Sequence, residues 1–479
     1  MKTNLLERLT LYRYRYAIGY GLVGLVLIAL VVVKFWNLPD GLSSGEIASA
    51  AAAGNLNFLS LNPSDLINLP YRILQKICLH FGGLSAAMIR LPGVILALGG
   101  GGAATILLLR RFSRPGVAVI AGFLTFTSSL WLGLGRSGDG LIAPVILTLV
   151  ILWAAINVLR RTGHTKTLIW KILIGICAAL LLYSPLGIWT LLILAAAGLA
   201  HPAIRLIFVK MKPWKMIVGI LCGLILLTPL GWAILRAPSV GLSLLGWDGG
   251  FSLANFGLVG QLFLGFKAGF AAGYFTPAIS LVGLAIVVLG LIQILKSRSS
   301  ARSILLIPWT AVGLILTIYR PANLSFLLVP MILLTAVGLS WLIQSWYKLF
   351  PRNPYARVAA LIPLAILVIG LGYTDFDRYV LTAHYSAAAT RNFDPTLPAV
   401  RTALAKYSKS DKVLLVPADQ ANFYNLLTRD FSNLKINQPI KKGDAVIATG
   451  GQTLKNQTPR FVVAGWRQSD APLVKVYQK

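Results

Sequence analysis

Long apolar blocks separated by short polar links fill the chain up to about residue 373. The blocks fall near 17–35, 86–109, 115–134, 140–159, 168–183, 185–202, 216–235, 274–295, 303–319, 322–343 and 356–373. Each is close to the roughly 20 residues that an α-helix needs to cross about 30 Å of hydrocarbon. The pattern predicts an α-helical polytopic membrane protein with about eleven transmembrane helices. Alternating segments of roughly ten residues, the mark of a transmembrane β-barrel, are not seen. The blocks meeting at Tyr183-Ser184-Pro185 read as two spans joined by a tight turn, with a proline kink in one span as the alternative.

Two stretches of mixed polarity, 36–85 and 236–273, interrupt the blocks. Within the first, "SDLINLPYRILQKICLHF" has helical periodicity, with Ser64 as candidate N-cap; within the second, "LANFGLVGQLFLGFKAGF" is similar. Both predict helices lying in the membrane interface or packed as a lid over the bundle. From about residue 374 the alternation becomes that of a soluble domain. "KVLLVP", "DAVIAT", "RFVVAG" and "LVKVYQK" read as strands, and "LPAVRTALAKYSKS" and "DQANFYNLLTRDF" as helices. The predicted organisation is a membrane domain over 1–373 and a small C-terminal α/β domain over 374–479.

Composition sharpens this picture. The 479 residues are 57% hydrophobic and 12% charged, with a mean hydropathy of +0.75. That charged fraction is about half of what a soluble chain carries. A net charge of +30 raises the question of nucleic acid. The distribution argues against that partner: Lys and Arg concentrate in the short segments 1–16, 110–114, 160–171, 201–215, 296–302 and 344–357, as cytoplasmic loops do. The expectation is an integral plasma-membrane protein with its N-terminus inside and its C-terminal domain extracytoplasmic. The basic N-terminus and the apolar run after it read as an uncleaved first span. Cys78, Cys177 and Cys222 are too few and too scattered to suggest a disulfide framework or a zinc site.

The acids divide the other way. Only Glu7 falls on the inner side, whereas Asp40, Glu46, Asp65, Asp139 and Asp248 fall on outer segments. Wetter, longer outer loops account for Asp65 and Asp248, but less well for Asp139 in the short link "GRSGDG". Charge is nearly absent from the spans, which weighs against a transporter or flippase. The run Gly99–Gly102 reads as a site of close helix packing rather than a phosphate loop.

Acids and arginines on one face at lipid depth suit one kind of chemistry. When a sugar leaves a lipid phosphate, a carboxylate can take the acceptor's proton and a guanidinium can steady the phosphate. A divalent cation held by carboxylates could assist. Glu46, Asp139, Arg136, Arg72 and Arg320 share that face. Each also has a plain structural reading. Glu46 could serve a helix N-terminus and Arg136 could pair with Asp139. Arg90 could snorkel, Arg72 and Lys76 could form the wet face of an interfacial helix, and Arg320 could be an interfacial anchor.

The chain resembles the GT-C glycosyltransferases, in particular the protein mannosyltransferase and aminoarabinose transferase-like group, over roughly residues 17–345. "LPDGLSSGEIASAAAAG" resembles the family's first outer loop, with Glu46 at the glutamate of its Asp-Glu pair. "LPYRILQKICLHFGGLSAAMIRLPGVI" resembles the next stretch, with Pro70, Tyr71, Phe81, Gly82, Arg90, Leu91 and Pro92 matching. "SLWLGLGRSGDG", with Arg136 and Asp139, and "YRPANLSFLLVPMIL", with Arg320 and Pro330, resemble two later signatures. One departure stands out: the family's catalytic aspartate falls at Gly45.

The resemblance implies an inverting membrane glycosyltransferase that moves a sugar from a polyprenyl-phosphate carrier to an extracytoplasmic glycan, lipid or protein acceptor. The candidate catalytic residues are Glu46, Asp139 and Asp40; the candidate lipid-phosphate ligands are Arg136, Arg320, Arg72 and Arg90. The donor would be a lipid-linked sugar, and whether a divalent cation takes part stays open. With glycine at position 45, Glu46, Asp40 or Asp139 takes over as base, or the Asp-Glu register is shifted, or the protein keeps the fold and a lipid-sugar cavity without catalysis. A transporter or flippase is the remaining alternative.

Overall fold

The computed structural model describes residues 15–57, 60–159, 164–202, 205, 213–265, 269–297, 300–349, 355, 359, 361–407, 411–431, 433–441, 443–449, 452, 454, 457–464 and 472–478. The protein is mostly helical, and every predicted apolar block contains a helix. Among the described residues, four helices are each long and apolar enough to cross a membrane: Ala86–Phe112, Ile142–Leu159, Ala301–Tyr319 and Pro321–Leu349. Four more are apolar but shorter: Thr167–Leu182, Gly187–Ala200, Ala254–Leu264 and Leu281–Lys296. The arrangement is that of a multi-pass membrane protein.

Several elements differ from the sequence reading. The block 115–134 is two helices, Pro115–Thr127 and Ser129–Arg136, bent by 63°. Ser128 makes the break: its extended backbone ends the first helix and its Oγ accepts from Trp131 N to start the second. Leu221–Arg236 turns by 114° into Pro238–Leu245, a helix where the sequence predicts loop. The block 274–295 begins with a hairpin, Gly269–Ala271 against Tyr274–Thr276, and its helix starts only at Leu281. Ser64 does not cap the helix after it. It lies in a 3₁₀ turn, Pro63–Leu66, and the helix Leu69–Gly82 follows Asn68 in the left-handed region. The break at Tyr183 is a turn, with Leu186 at φ 63° and the next helix beginning at Gly187.

Small residues set the close approaches in the bundle. A Cβ on Gly290 would lie 2.1 Å from Leu334 O, and one on Gly338 would lie 2.2 Å from Ile286 O, so the two helices touch backbone to backbone. In the Gly99–Gly102 run, Gly101 makes room for the side chains of Ile146 and Trp131.

The helix Leu361–Tyr385 runs straight through the expected boundary at 373/374. Beyond it lies a five-stranded sheet in the order Leu434–Ile436, Lys412–Leu415, Ala445–Thr449, Pro472–Gln478, Phe461–Ala464. The first three strands are parallel, and the last two run antiparallel to their neighbours. Leu434–Ile436 was not foreseen. "DQANFYNLLTRDF" forms a short helix, Ala421–Tyr424, between two 3₁₀ turns rather than one long helix. Its Asp, Asn and Thr residues are weak helix formers.

This C-terminal part packs on the stretch 36–85. Leu42–Ser43 pairs antiparallel with Phe393–Asp394. Leu42, Ala53 and Leu84 share an apolar core with Val400, Leu404 and Leu426. Gly54 abuts Leu426 so closely that a Cβ would lie 2.4 Å from it. Leu84 N donates to Asp430 Oδ2 at 3.0 Å, and Arg401 donates to both Leu84 O and Asp430.

Candidate active site

The site grows from the start of the helix Ser44–Asn55. Ser43 and Glu46 form a capping box: Ser43 Oγ accepts from Glu46 N, and Glu46 Oε2 accepts from Ser43 N. The same carboxylate reaches two distant segments. Oε1 accepts from Gly138 N (3.0 Å) and from Arg90 Nε (2.8 Å), and Oε2 accepts from Arg90 Nη2 (3.2 Å). Arg90 gives its other donors to the carbonyls of Phe35, Pro39 and Gly41. Glu46 is 1% exposed and Arg90 is 0% exposed. Charges this deeply buried persist only when paired and fully hydrogen-bonded, and both conditions hold here.

A second knot fixes the same link. Gln75 lies on the buried stripe Tyr71, Gln75, Leu79 of the helix Leu69–Gly82. Its Oε1 accepts from Ser49 Oγ, and its Nε2 donates to Ile89 O (3.1 Å) and Gly138 O (2.9 Å). Gly138 therefore gives its N–H to Glu46 and its carbonyl to Gln75. Only glycine fits there, because a Cβ would lie 2.5 Å from the Ile89 side chain. Tyr71, fully buried, donates to Ser137 O and lies against Gly140.

The link so held presents Asp139. Its two hydrogen bonds, from Ser137 Oγ (2.7 Å) and Leu141 N (3.1 Å), both go to Oδ1. Unlike Glu46 it is only half-buried. Burial pushes its pKa up to about 6; the nearby Glu46 charge adds to the rise, and the two hydrogen bonds oppose it. Gly45 faces it: a Cβ built there would lie 3.7 Å from Asp139 Cβ. Asp40, half-buried, lies within electrostatic reach of Arg90.

The remaining arginines are placed differently. Arg136 does not pair with Asp139. It is 1% exposed, donates through Nη2 to Leu30 O and Val33 O, and lies over the Tyr379 ring at 5.1 Å. Arg72 donates to Ser64 O and lies 3.8 Å from Asp65, within its own loop. Arg320 pairs with Asp248, and both side chains are more than a third exposed. Tyr274 holds the turn that follows Arg320. Its hydroxyl donates to Ala322 O and accepts from Ser325 N, and it lies within electrostatic reach of Asp139.

The structure thus gathers Glu46, Arg90, Asp139, Gly45 and Asp40 around one link, pairs Arg320 with Asp248 instead, and leaves Arg72 out. Gln75, Tyr274 and Asp248 were not among the expected site residues. For Gln75 the signal was present: it is a polar residue on an otherwise apolar helical stripe.

The sequence matches no protein-family model and no curated protein. The architecture does match solved structures. ArnT from Cupriavidus metallidurans bound to undecaprenyl phosphate superposes with a TM-score of 0.55 at 12% identity, over 97% of this chain and 98% of that one. The apo state of the same protein gives 0.55 at 12% identity, over 91% and 93%. The Archaeoglobus fulgidus oligosaccharyltransferase in the apo form gives 0.55 at 14% identity, over 88% of this chain but 64% of that one. Both proteins are GT-C glycosyltransferases. The fold is GT-C-like. Within this GT-C-like frame, no three His, Cys, Asp or Glu side chains of the described residues come together as metal ligands. Glu46 has both oxygens occupied by N–H donors, so it is not free to ligate a divalent cation.

Proposed function

We propose that this protein transfers a sugar from a polyprenyl-phosphate carrier to an extracytoplasmic acceptor with inversion, and that Asp139 is the general base. The observation that carries the reading is the contrast between the two neighbouring carboxylates. Glu46 is sealed by four N–H contacts. Asp139 keeps Oδ2 outside the hydrogen bonds that hold its Oδ1, lies where a side chain at position 45 would point, and has its pKa raised toward neutrality by burial. A base works best when its pKa approaches the working pH.

The assignment of roles changes accordingly. Glu46 and Arg90 become positioning residues, because a carboxylate with both oxygens bonded cannot take a proton without dismantling the cap. Arg136, with its guanidinium buried against backbone carbonyls and Tyr379, anchors the end of the first helix. Arg320 is the phosphate ligand, being a half-open guanidinium at the turn that Tyr274 holds. The likeness to an enzyme crystallised with undecaprenyl phosphate supports a lipid phosphate as the carrier. The C-terminal sheet would then share the outer side with the first loop, on which it packs. No step is routed through a metal ion.

The chemistry follows from these positions. The acceptor hydroxyl attacks the anomeric carbon as Asp139 takes its proton; the bond to the phosphate oxygen breaks, and Arg320 stabilises the charge on the departing phosphate. Purified protein given labelled polyprenyl-phosphate sugars tests this. Asp139→Asn is expected to abolish transfer while lipid binding persists. Full activity in Asp139→Asn would refute the assignment.

Gly45 favours one second reading, a lipid-sugar binding protein without turnover. Binding of the labelled donor by the wild type, with no transfer to any glycan, lipid or protein acceptor, would select it.

A further inference from the structure

Arg320 ends the helix Ala301–Tyr319, and Asp248 reaches it from the loop after Pro238–Leu245. That loop is tied to the residues flanking Arg320. Tyr319 Oη donates to Gly249 O (2.9 Å), Asn255 Nδ2 donates to Tyr319 O (2.7 Å), and Asn323 Nδ2 donates to Gly246 O (3.2 Å). Asp248 is therefore delivered to the guanidinium by a fastened backbone.

The pair is nevertheless open, with side-chain exposures of 37% for Arg320 and 36% for Asp248. The sealed Glu46–Arg90 pair is its opposite. The surface beside it is apolar: Trp247, Phe251, Leu253 and Phe256 on the same loop and helix are exposed by 44% to 77%. A half-open ion pair rimmed by exposed aromatic and aliphatic groups matches an amphiphile with an anionic head and a long apolar chain. The carrier phosphate freed once the sugar has left is a monoester; it carries more charge than a carboxylate and matches it in bidentate bonding to a guanidinium.

We propose that Asp248 is a built-in competitor that occupies Arg320 until the monoester phosphate of the sugar-free polyprenyl carrier displaces it. This rests on reading Arg320 as the lipid-phosphate ligand. It adds that the site is held closed to weak anions by the chain's own carboxylate, so that only a headgroup better than a carboxylate gains the arginine.

The test is equilibrium binding of undecaprenyl phosphate to the full-length protein in detergent micelles, with phosphatidylglycerol as a parallel ligand. Asp248→Asn is expected to tighten undecaprenyl phosphate binding by about two- to fivefold, the range set by a partly exposed ion pair. The gain is expected to vanish in an Arg320→Gln background and to be missing for phosphatidylglycerol. Unchanged or weaker binding in Asp248→Asn, or a gain that survives without Arg320, overturns the competitor while leaving the carrier reading intact. An equal gain for phosphatidylglycerol overturns the choice of ligand. If neither the wild type nor Asp248→Asn binds undecaprenyl phosphate, the proposed function falls together with this inference.

Discussion

Gly45 and Asp139 face each other: the first side-chain atom that position 45 lacks would lie 3.7 Å from the Cβ of Asp139, an ordinary van der Waals contact. A side chain can therefore begin at position 45, and a carboxylate on it would lie near one already displaced toward neutrality. Like charges at that range disfavour double ionisation. Gly45→Asp is expected to raise the apparent pKa governing activity above the value near 6 that burial gives Asp139. The pH–rate profiles of the two proteins check this, and coincident acid limbs would contradict it.

Asp139 makes rate and stability respond to pH in opposite directions. In the proposed role of base it acts ionised, so transfer is expected to fall as pH drops through about 6. For stability, the folded carboxyl holds its proton more tightly than the unfolded one, whose pKa is near the ordinary 3.8. Its contribution is complete below that value and is lost as pH rises toward 6. Asp139→Asn should therefore lose about 10²- to 10⁴-fold in rate at pH 7 with no loss in melting temperature. A drop in melting temperature with activity retained would reverse the assignment.

The Glu46–Arg90 pair should behave as structure. Removing one partner strands a buried charge, at a cost of about 3–5 kcal/mol. Glu46→Ala and Arg90→Ala are each expected to lower the melting temperature in detergent sharply. The double variant should lose much less than the sum of the two, because one interaction is shared. Additive losses would show that the two side chains act separately.

Gln75 should matter through position alone. Gln75→Leu removes the partner of Ser49 Oγ and the donor to two buried carbonyls, each worth about 1–3 kcal/mol when left unsatisfied. Loss of thermal stability is expected, together with a shifted acid limb of the pH–rate profile as the Asp139 link loosens. A stability change with the limb unmoved would make Gln75 a core residue only.

Sidedness is accessible to labelling. In a background lacking Cys78, Cys177 and Cys222, a cysteine replacing exposed Thr428 should react with an impermeant maleimide in intact cells, and one replacing exposed Arg111 should react only after lysis. The reverse pattern would invert the topology.

The apolar blocks were legible because a span needs only one property repeated over a fixed length. Their interruptions were not, because they depend on single side chains. Ser128 bends a helix by capping its successor, and the hairpin at Gly269–Thr276 hides in an apolar run because both of its strands are apolar. In the site, Glu46, Arg90 and Asp139 could be named from the motif order. Their pairing could not, since the bonds join positions 44 and 92 residues apart. The short link "GRSGDG" offered Arg136 and Asp139 as a natural couple; instead Arg136 turns back to the carbonyls of Leu30 and Val33.

The short bridge between Leu42–Ser43 and Phe393–Asp394 has a bearing on biosynthesis. The turn that delivers Glu46 is completed by a strand that leaves the ribosome some 350 residues later. Contacts of such sequence separation form late. The candidate site should therefore mature only once the nascent chain is almost fully translated, and truncations before residue 393 should insert into the membrane yet leave the amino-terminal loop unfinished.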